Sequence, residues 1–302
     1  MVLKTHFVPL KQPKWNLELI AVDESKQETG SFKFRAAWNL VKNVNAEHFL
    51  AASSGNFGQA LARACQLLNK KATIVMPTTS ARVKVEAVKR FGATLKWVDT
   101  SIKTRAQRVS ELQKEIEGVY VASAYDCPYV IDGNASLGRE IAEQNLDIVI
   151  VPVGGGGLCS GVIKGLQELE SKTVVWGAEP LMANDAARSL RSGELLCNEG
   201  EPQTIADGAR TRSLGKRNWR IIHPNIAGIL EVSEEYIKLA VRQLFDWGIH
   251  AEPTGALTTG ALLQASTNSD PIWSFVQQKK VGVVISGGNV DSDIFQDLIS
   301  LD

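Results

Sequence analysis

Four consecutive glycines, in Val153-Gly154-Gly155-Gly156-Gly157-Leu158, are the sharpest chemical feature of the sequence. Each glycine raises the entropic cost of folding, so a run of four is not propensity noise inside a packed element. Without Cβ atoms, successive N–H groups can curl around an anion, reinforced by the positive end of a following helix. Phosphate suits that arrangement; a flexible turn is the plain alternative. A dinucleotide fingerprint would want GxGxxG and an acid about 20 residues on, and a Walker loop would want Lys-Ser/Thr after its last glycine. Neither pattern is present, so a phosphate monoester on another ligand is favoured. A second segment, Thr29-Gly30-Ser31-Phe32-Lys33-Phe34-Arg35, places a lysine between two phenylalanines. Desolvation there would lower the pKa of Lys33 and free its amine as a nucleophile or Schiff-base partner. Taken alone, a surface lysine with aromatic neighbours is the plainer reading. The third, Ala52-Ser53-Ser54-Gly55-Asn56-Phe57-Gly58-Gln59, offers several donors to a carboxylate or phosphate, although a plain helix cap also explains Ser54 or Asn56. In the fourth, Val284-Ile285-Ser286-Gly287-Gly288-Asn289, the Ser286 hydroxyl could bond a ring nitrogen or cap a turn.

These segments need elements to hold them. Apolar, β-branched runs predict strands at His48–Ser53, Ala72–Met76, Thr94–Val98, Val119–Ala122, Ile148–Val153, Thr173–Ala178 and Val281–Ile285. Helical patterns fall at Phe34–Asn43, Asn56–Leu68, Ala81–Phe91, Thr104–Glu117, Asn134–Gln144, Leu158–Leu169, Ser233–Trp247 and Thr254–Ser266. This βαβα rhythm predicts an α/β fold of open parallel sheets covered by helices, with ligands at the carboxyl ends of the strands. Residues Glu179–Pro224 read as a loop with one short helix, of the kind that often covers a site. There is no repeat and no low-complexity tract.

Composition narrows the function. The 302 residues carry 33 Lys plus Arg against 33 Asp plus Glu, so nothing suggests the basic excess a nucleic-acid partner requires. No run of 18 apolar residues predicts a membrane span, and the start MVLKTHFVPLKQPKWN has no signal-like stretch, so a cytoplasmic protein acting on small molecules is expected. Cys65, Cys127, Cys159 and Cys197 form no CxxC pair and read as free, mostly buried thiols. The four histidines show no ligand spacing.

Taken in order, TGSFKFR, SSGNFGQA, the tetraglycine loop and SGGN resemble fold-type II pyridoxal-phosphate enzymes, within them the threonine/serine dehydratase and serine racemase branch. The resemblance runs from about His6 to Asp291. It implies two open twisted parallel-sheet lobes with the cofactor in the cleft: a large lobe of residues 1–47 and 126–302, and an inserted small lobe of residues 48–125. A homodimer is implied as well. Lys33 would form the Schiff base with pyridoxal 5'-phosphate and then remove the substrate α-proton. Phe32 and Asn56 would contact the ring and its 3-oxygen, Gly154, Gly155, Gly156 and Gly157 would hold the phosphate, and Ser286 would bond the pyridine nitrogen. A neutral hydroxyl there leaves that nitrogen unprotonated and favours β-elimination. Ser53, Ser54, Gly55 and Asn56 would receive the substrate carboxylate, and Ser54 stands where racemases carry their opposite-face acid/base.

The stretch Glu179-Pro180-Leu181-Met182-Ala183-Asn184-Asp185 resembles the branch's EPxxAxD segment. It implies a divalent cation held by the Glu179 and Asp185 carboxylates and the Ala183 carbonyl, with oxygen ligands suiting Mg2+, Ca2+ or Mn2+. Two solvated acids flanking a turn are the plain alternative. The chain departs from the branch at Ala36 and Ala37 (FRAA for FRGA), at Gly133-Asn134-Ala135-Ser136 (for GQGT), at Phe57 (often His), and over Ile20–Glu28. The function implied is dehydration and deamination of L-serine or L-threonine to a 2-oxo acid and ammonia. Racemisation of serine or aspartate, hydroxyaspartate dehydration, β-replacement and a non-catalytic binding protein are the alternatives. Only 13 residues follow Asn289, which implies no carboxyl-terminal regulatory domain.

Overall fold

A computed structural model of the chain describes residues 2–12, 14–80, 82–268 and 270–300. Ala81, the first residue of one expected helix, lies outside the described residues, as do Met1, Pro13, Ser269, Leu301 and Asp302 of the expected large lobe. Ten strands occur among the described residues: β1 (His6–Leu10), β2 (Glu18–Asp23), β3 (His48–Ala52), β4 (Lys71–Pro77), β5 (Thr94–Val98), β6 (Val119–Val121), β7 (Ile148–Pro152), β8 (Val174–Pro180), β9 (Gly228–Val232) and β10 (Lys280–Ile285). They form two sheets, one ordered β1-β2-β10-β7-β8-β9 and the other β5-β4-β3-β6. Every strand pairing is parallel except β1 with β2 at one edge of the larger sheet, so the two expected parallel-sheet lobes are present.

The strands at the centre are apolar on both faces because helices cover both. β7 (IVIVP) is buried at every position, and β10 is buried from Val281 to Ile285. The helices Pro128–Ala142 and Gly157–Glu168 meet at backbone distance: a Cβ on Gly165 would lie 2.2 Å from the Ala135 carbonyl oxygen. The helix Lys33–Asn43 buries Phe34, Ala36, Ala37, Leu40 and Val41 in the core shared with β3, β4 and the helix Asn56–Leu67. Ala36 and Ala37 are thus packing residues.

Three strands were not expected: β1, β2 and β9. The segment 179–224 is more ordered than expected, with two helices, Asp185–Ser192 and Lys216–Ile222, and two single 3-10 turns, Leu181–Ala183 and Asp207–Ala209. All four cysteines are free; Cys65, Cys127 and Cys159 are buried, Cys197 is exposed. Among the described residues no helix is long and apolar enough to cross a membrane.

Candidate active site

Lys33 is the first residue of its helix, and the preceding residues are pinned to the end of β10. Phe32 N–H donates to the Ser286 carbonyl at 3.0 Å, and Gly288 N–H donates to the Gly30 carbonyl at 3.0 Å. The Lys33 amine donates to the Ala124 carbonyl at 3.2 Å and lies 4.8 Å from the centre of the Phe32 ring. Burial lowers its pKa to about 8, against an opposing pull from Glu252, so roughly a tenth of the amine is neutral at pH 7, far more than for an ordinary lysine. The residue keeps partial exposure, and that exposure is to a cavity of about 250 Å3.

The cavity joins the segments singled out in the sequence. Phe32, Lys33, Ser53, Ser54, Gly55, Asn56, Gly155 and Ser286 all line it. A smaller adjoining pocket is lined by all four of Gly154, Gly155, Gly156 and Gly157 together with Phe32, Lys33 and Ser286. The loop leads from β7 into the helix Gly157–Glu168, with Gly156 at φ +86°, a conformation that disfavours any side chain. A Cβ on Gly155 would meet the Tyr125 ring at 2.3 Å. Asn134, one of the departures from the branch pattern, is fully buried and donates to the Gly157 carbonyl at 3.0 Å, fastening the end of the loop.

Asn56 does not stand free. Its amide donates to Glu252 Oε1 at 2.6 Å, and its oxygen accepts from Asn289 at 2.9 Å and Gln59 at 3.3 Å. Glu252 is 3% exposed; burial, with the nearby charge of Asp207, pushes its carboxyl up to about 8. Sequence reasoning missed Glu252, Tyr125, and the charged residues Lys84, Arg105, Glu201, Asp207 and Arg210 in the cavity wall. None carries a local motif. The one available signal was Glu252-Pro253 opening a helix directly before a small-residue run.

Glu179, Ala183 and Asp185 do not line either cavity. They sit together where β8 ends, and they are not solvated acids: Glu179 and Asp185 are each 1% exposed. Glu179 accepts from the backbone N–H groups of Ala186 at 3.2 Å and Ala187 at 2.6 Å. One Asp185 oxygen accepts from Asn198 at 2.9 Å, and the other is buried without a partner among the described residues. Burial pushes Glu179 up to about 9 and Asp185 up to about 6.

A family model described as pyridoxal-phosphate dependent enzyme matches residues 2–287. The chain belongs to that family. It is 37% identical over 285 residues to L-threo-3-hydroxyaspartate ammonia-lyase of Saccharomyces cerevisiae, covering 92% of this chain and 84% of the relative. It is 36% identical to serine racemase of Dictyostelium discoideum, covering 91% and 85%. The solved structure of the T.th. threonine deaminase superposes with a TM-score of 0.84 at 36% identity, covering 95% of this chain and 94% of that one. The fold is therefore that of the fold-type II pyridoxal-phosphate enzymes. The residues present fit the cofactor: a shielded amine of lowered pKa, a side-chain-free loop at a helix start, and a buried hydroxyl at Ser286 share one pocket.

Proposed function

We propose that this pyridoxal-phosphate enzyme eliminates water from a small L-3-hydroxy amino acid, releasing a 2-oxo acid and ammonia, with L-serine and L-threonine as its reference substrates. The observation that carries this is the Lys33 amine, shielded and without an acidic partner in hydrogen-bond contact, in the cavity shared by the SSGN segment and Ser286. Its similarity to a hydroxyaspartate ammonia-lyase and a threonine deaminase supports the reaction class.

The cofactor, when bound, supplies an electron-withdrawing ring that stabilises the carbanion formed at the substrate α-carbon. The Gly154–Gly157 loop would hold its phosphate by backbone N–H groups and the start of the helix Gly157–Glu168. Ser286, a buried neutral hydroxyl, would bond the ring nitrogen without protonating it. Phe32 would pack on the ring, and Asn56, held in orientation by Glu252 and Asn289, would donate to the ring's 3-oxygen. Neutral donors of Ser53, Ser54, Gly55 and Asn56 would receive the substrate carboxylate. Lys33, with a pKa near the working pH, would take the α-proton, since a base is most effective when its pKa matches its medium.

Ser54 lines the same cavity, which supports proton return from the opposite face and hence a racemase side activity. Incubation of the purified holoenzyme with L-serine separates the two. Pyruvate without D-serine is the expected result, and D-serine as the major product would overturn the elimination reading.

We further propose that Glu179, Asp185 and the Ala183 carbonyl hold a divalent cation, Mg2+, Ca2+ or Mn2+. Two buried carboxylates with an unpartnered oxygen, and with no cationic side chain hydrogen-bonded to them among the described residues, support this. The lobes would comprise residues 1–47 with 126–302, and residues 48–125, in a cytoplasmic homodimer.

A further inference from the structure

Beyond the reacting centre, the cavity wall carries six charged side chains: Lys84, Arg105, Glu201, Asp207, Arg210 and Glu252. Four cancel in pairs. Lys84 pairs with Asp207, and Arg105 with Glu201 at 3.3 Å, each pair joining a helix of the smaller-sheet region to the segment that follows the helix Asp185–Ser192. Glu252 is committed to Asn56, and its raised pKa leaves it largely uncharged near neutrality. Arg210 remains. Its Nε donates to the Thr204 carbonyl at 2.7 Å, which anchors the stem, while the two terminal nitrogens form no ion pair among the described residues.

An arginine fixed at Nε presents a planar fork that matches a carboxylate with two parallel hydrogen bonds. The SSGN donors are neutral and serve one carboxylate. A monoanionic substrate leaves the Arg210 fork unmatched, whereas a substrate with a second carboxylate can engage both sets of donors that line the cavity.

We propose that Arg210 is a specificity residue that receives a second carboxylate on the substrate β-carbon, so that the preferred substrate is a dianionic 3-hydroxy amino acid of the 3-hydroxyaspartate class. This rests on the elimination reading above. The reaction balances without a redox partner. The electron pair of the broken C2–H bond forms the C2–C3 double bond as the C3–O bond breaks, and the hydroxyl leaves as water with one proton. The resulting enamine tautomerises to an imine, and one water hydrolyses it, so one 3-hydroxyaspartate gives one oxaloacetate and one ammonia.

The test compares kcat/KM of purified holoenzyme for L-threo-3-hydroxyaspartate and L-serine in the natural protein and in Arg210→Met and Arg210→Lys. The natural protein should favour hydroxyaspartate by at least about tenfold, and Arg210→Met should lower the hydroxyaspartate-to-serine ratio by at least about 30-fold, mainly through KM. Arg210→Lys should recover part of the ratio, because a point charge replaces the fork. Calorimetric titration with L-malate, which has both carboxylates but no amine, should show weaker binding in Arg210→Met. An unchanged ratio in Arg210→Met, or a natural preference for serine, overturns the proposal while leaving elimination intact. No 2-oxo acid from either substrate removes the elimination reading and this one with it.

Discussion

The helix Lys33–Asn43 carries two cations within its first turn, one fully buried and one shielded but facing the cavity, and treats them in opposite ways. Arg35 is 1% exposed and saturated: it bonds Glu24 at 2.7 Å through Nε, Glu140 at 2.8 Å, and the hydroxyls of Thr5 and Ser136. Burial disfavours its charge, yet these partners drive the guanidinium pKa up, and Arg35 holds the Glu140 carboxyl below its usual range against the effect of burial. Lys33, two residues earlier, meets a carbonyl and an aromatic face, and burial prevails. Burial alone therefore does not make a residue reactive; it does so where the fold withholds a counter-charge. The carboxylates divide the same way, Glu24 and Glu140 being answered by Arg35, Glu179 and Asp185 by no cation within hydrogen-bond distance among the described residues.

The largest expected effect separates the two cations by outcome. Lys33→Ala should lower kcat by at least about a thousandfold and abolish the visible absorbance of the bound cofactor, with little loss of stability. Steady-state rates and an absorbance spectrum check this; retained turnover would mean another base acts.

Arg35→Met should behave conversely. It leaves Glu24, wholly buried, without its partner, and should cost about 3–5 kcal/mol in urea unfolding. A loss under about 1 kcal/mol would show that the knot is dispensable.

The smallest effect concerns the Glu179–Asp185 pair. Carboxyls raised to about 9 and about 6 stay protonated when folded after they ionise in the unfolded chain, so cation-free stability falls as pH rises from the ordinary carboxylate range toward 9. A bound cation stabilises the ionised pair and opposes that fall. Mg2+ should therefore raise Tm by on the order of 2–4 °C at pH 8 and by less at pH 5.5. Equal melting temperatures with Mg2+ and with a chelator at pH 8 would make the pair purely structural.

The parts of this comparison differed in legibility. β7 and β10 were readable because continuous apolar runs bounded by glycine have few other uses, and the tetraglycine loop because four missing side chains need a reason. Strand β2, ELIAVD, was missed because it is flanked by charge and its partner β1 ends in a lysine-rich turn; tertiary pairing, not periodicity, defines both. Residues whose meaning depends on what the fold brings opposite them were not legible. Glu24 and Arg35 are 11 positions apart and Glu140 another 105 from Arg35, and nothing local predicts their meeting. Glu252 and Asn56, separated by 196 positions, and Arg210 with its unmatched fork belong to the same class.

The central claim is that Lys33 is the lysine this fold leaves free to bond the cofactor. Reduction of the cofactor-loaded protein with borohydride, followed by proteolysis and mass spectrometry, tests it most directly. The account predicts the added cofactor mass on the peptide containing Phe32-Lys33-Phe34 and on no other. Label on a different lysine, or none, would contradict it.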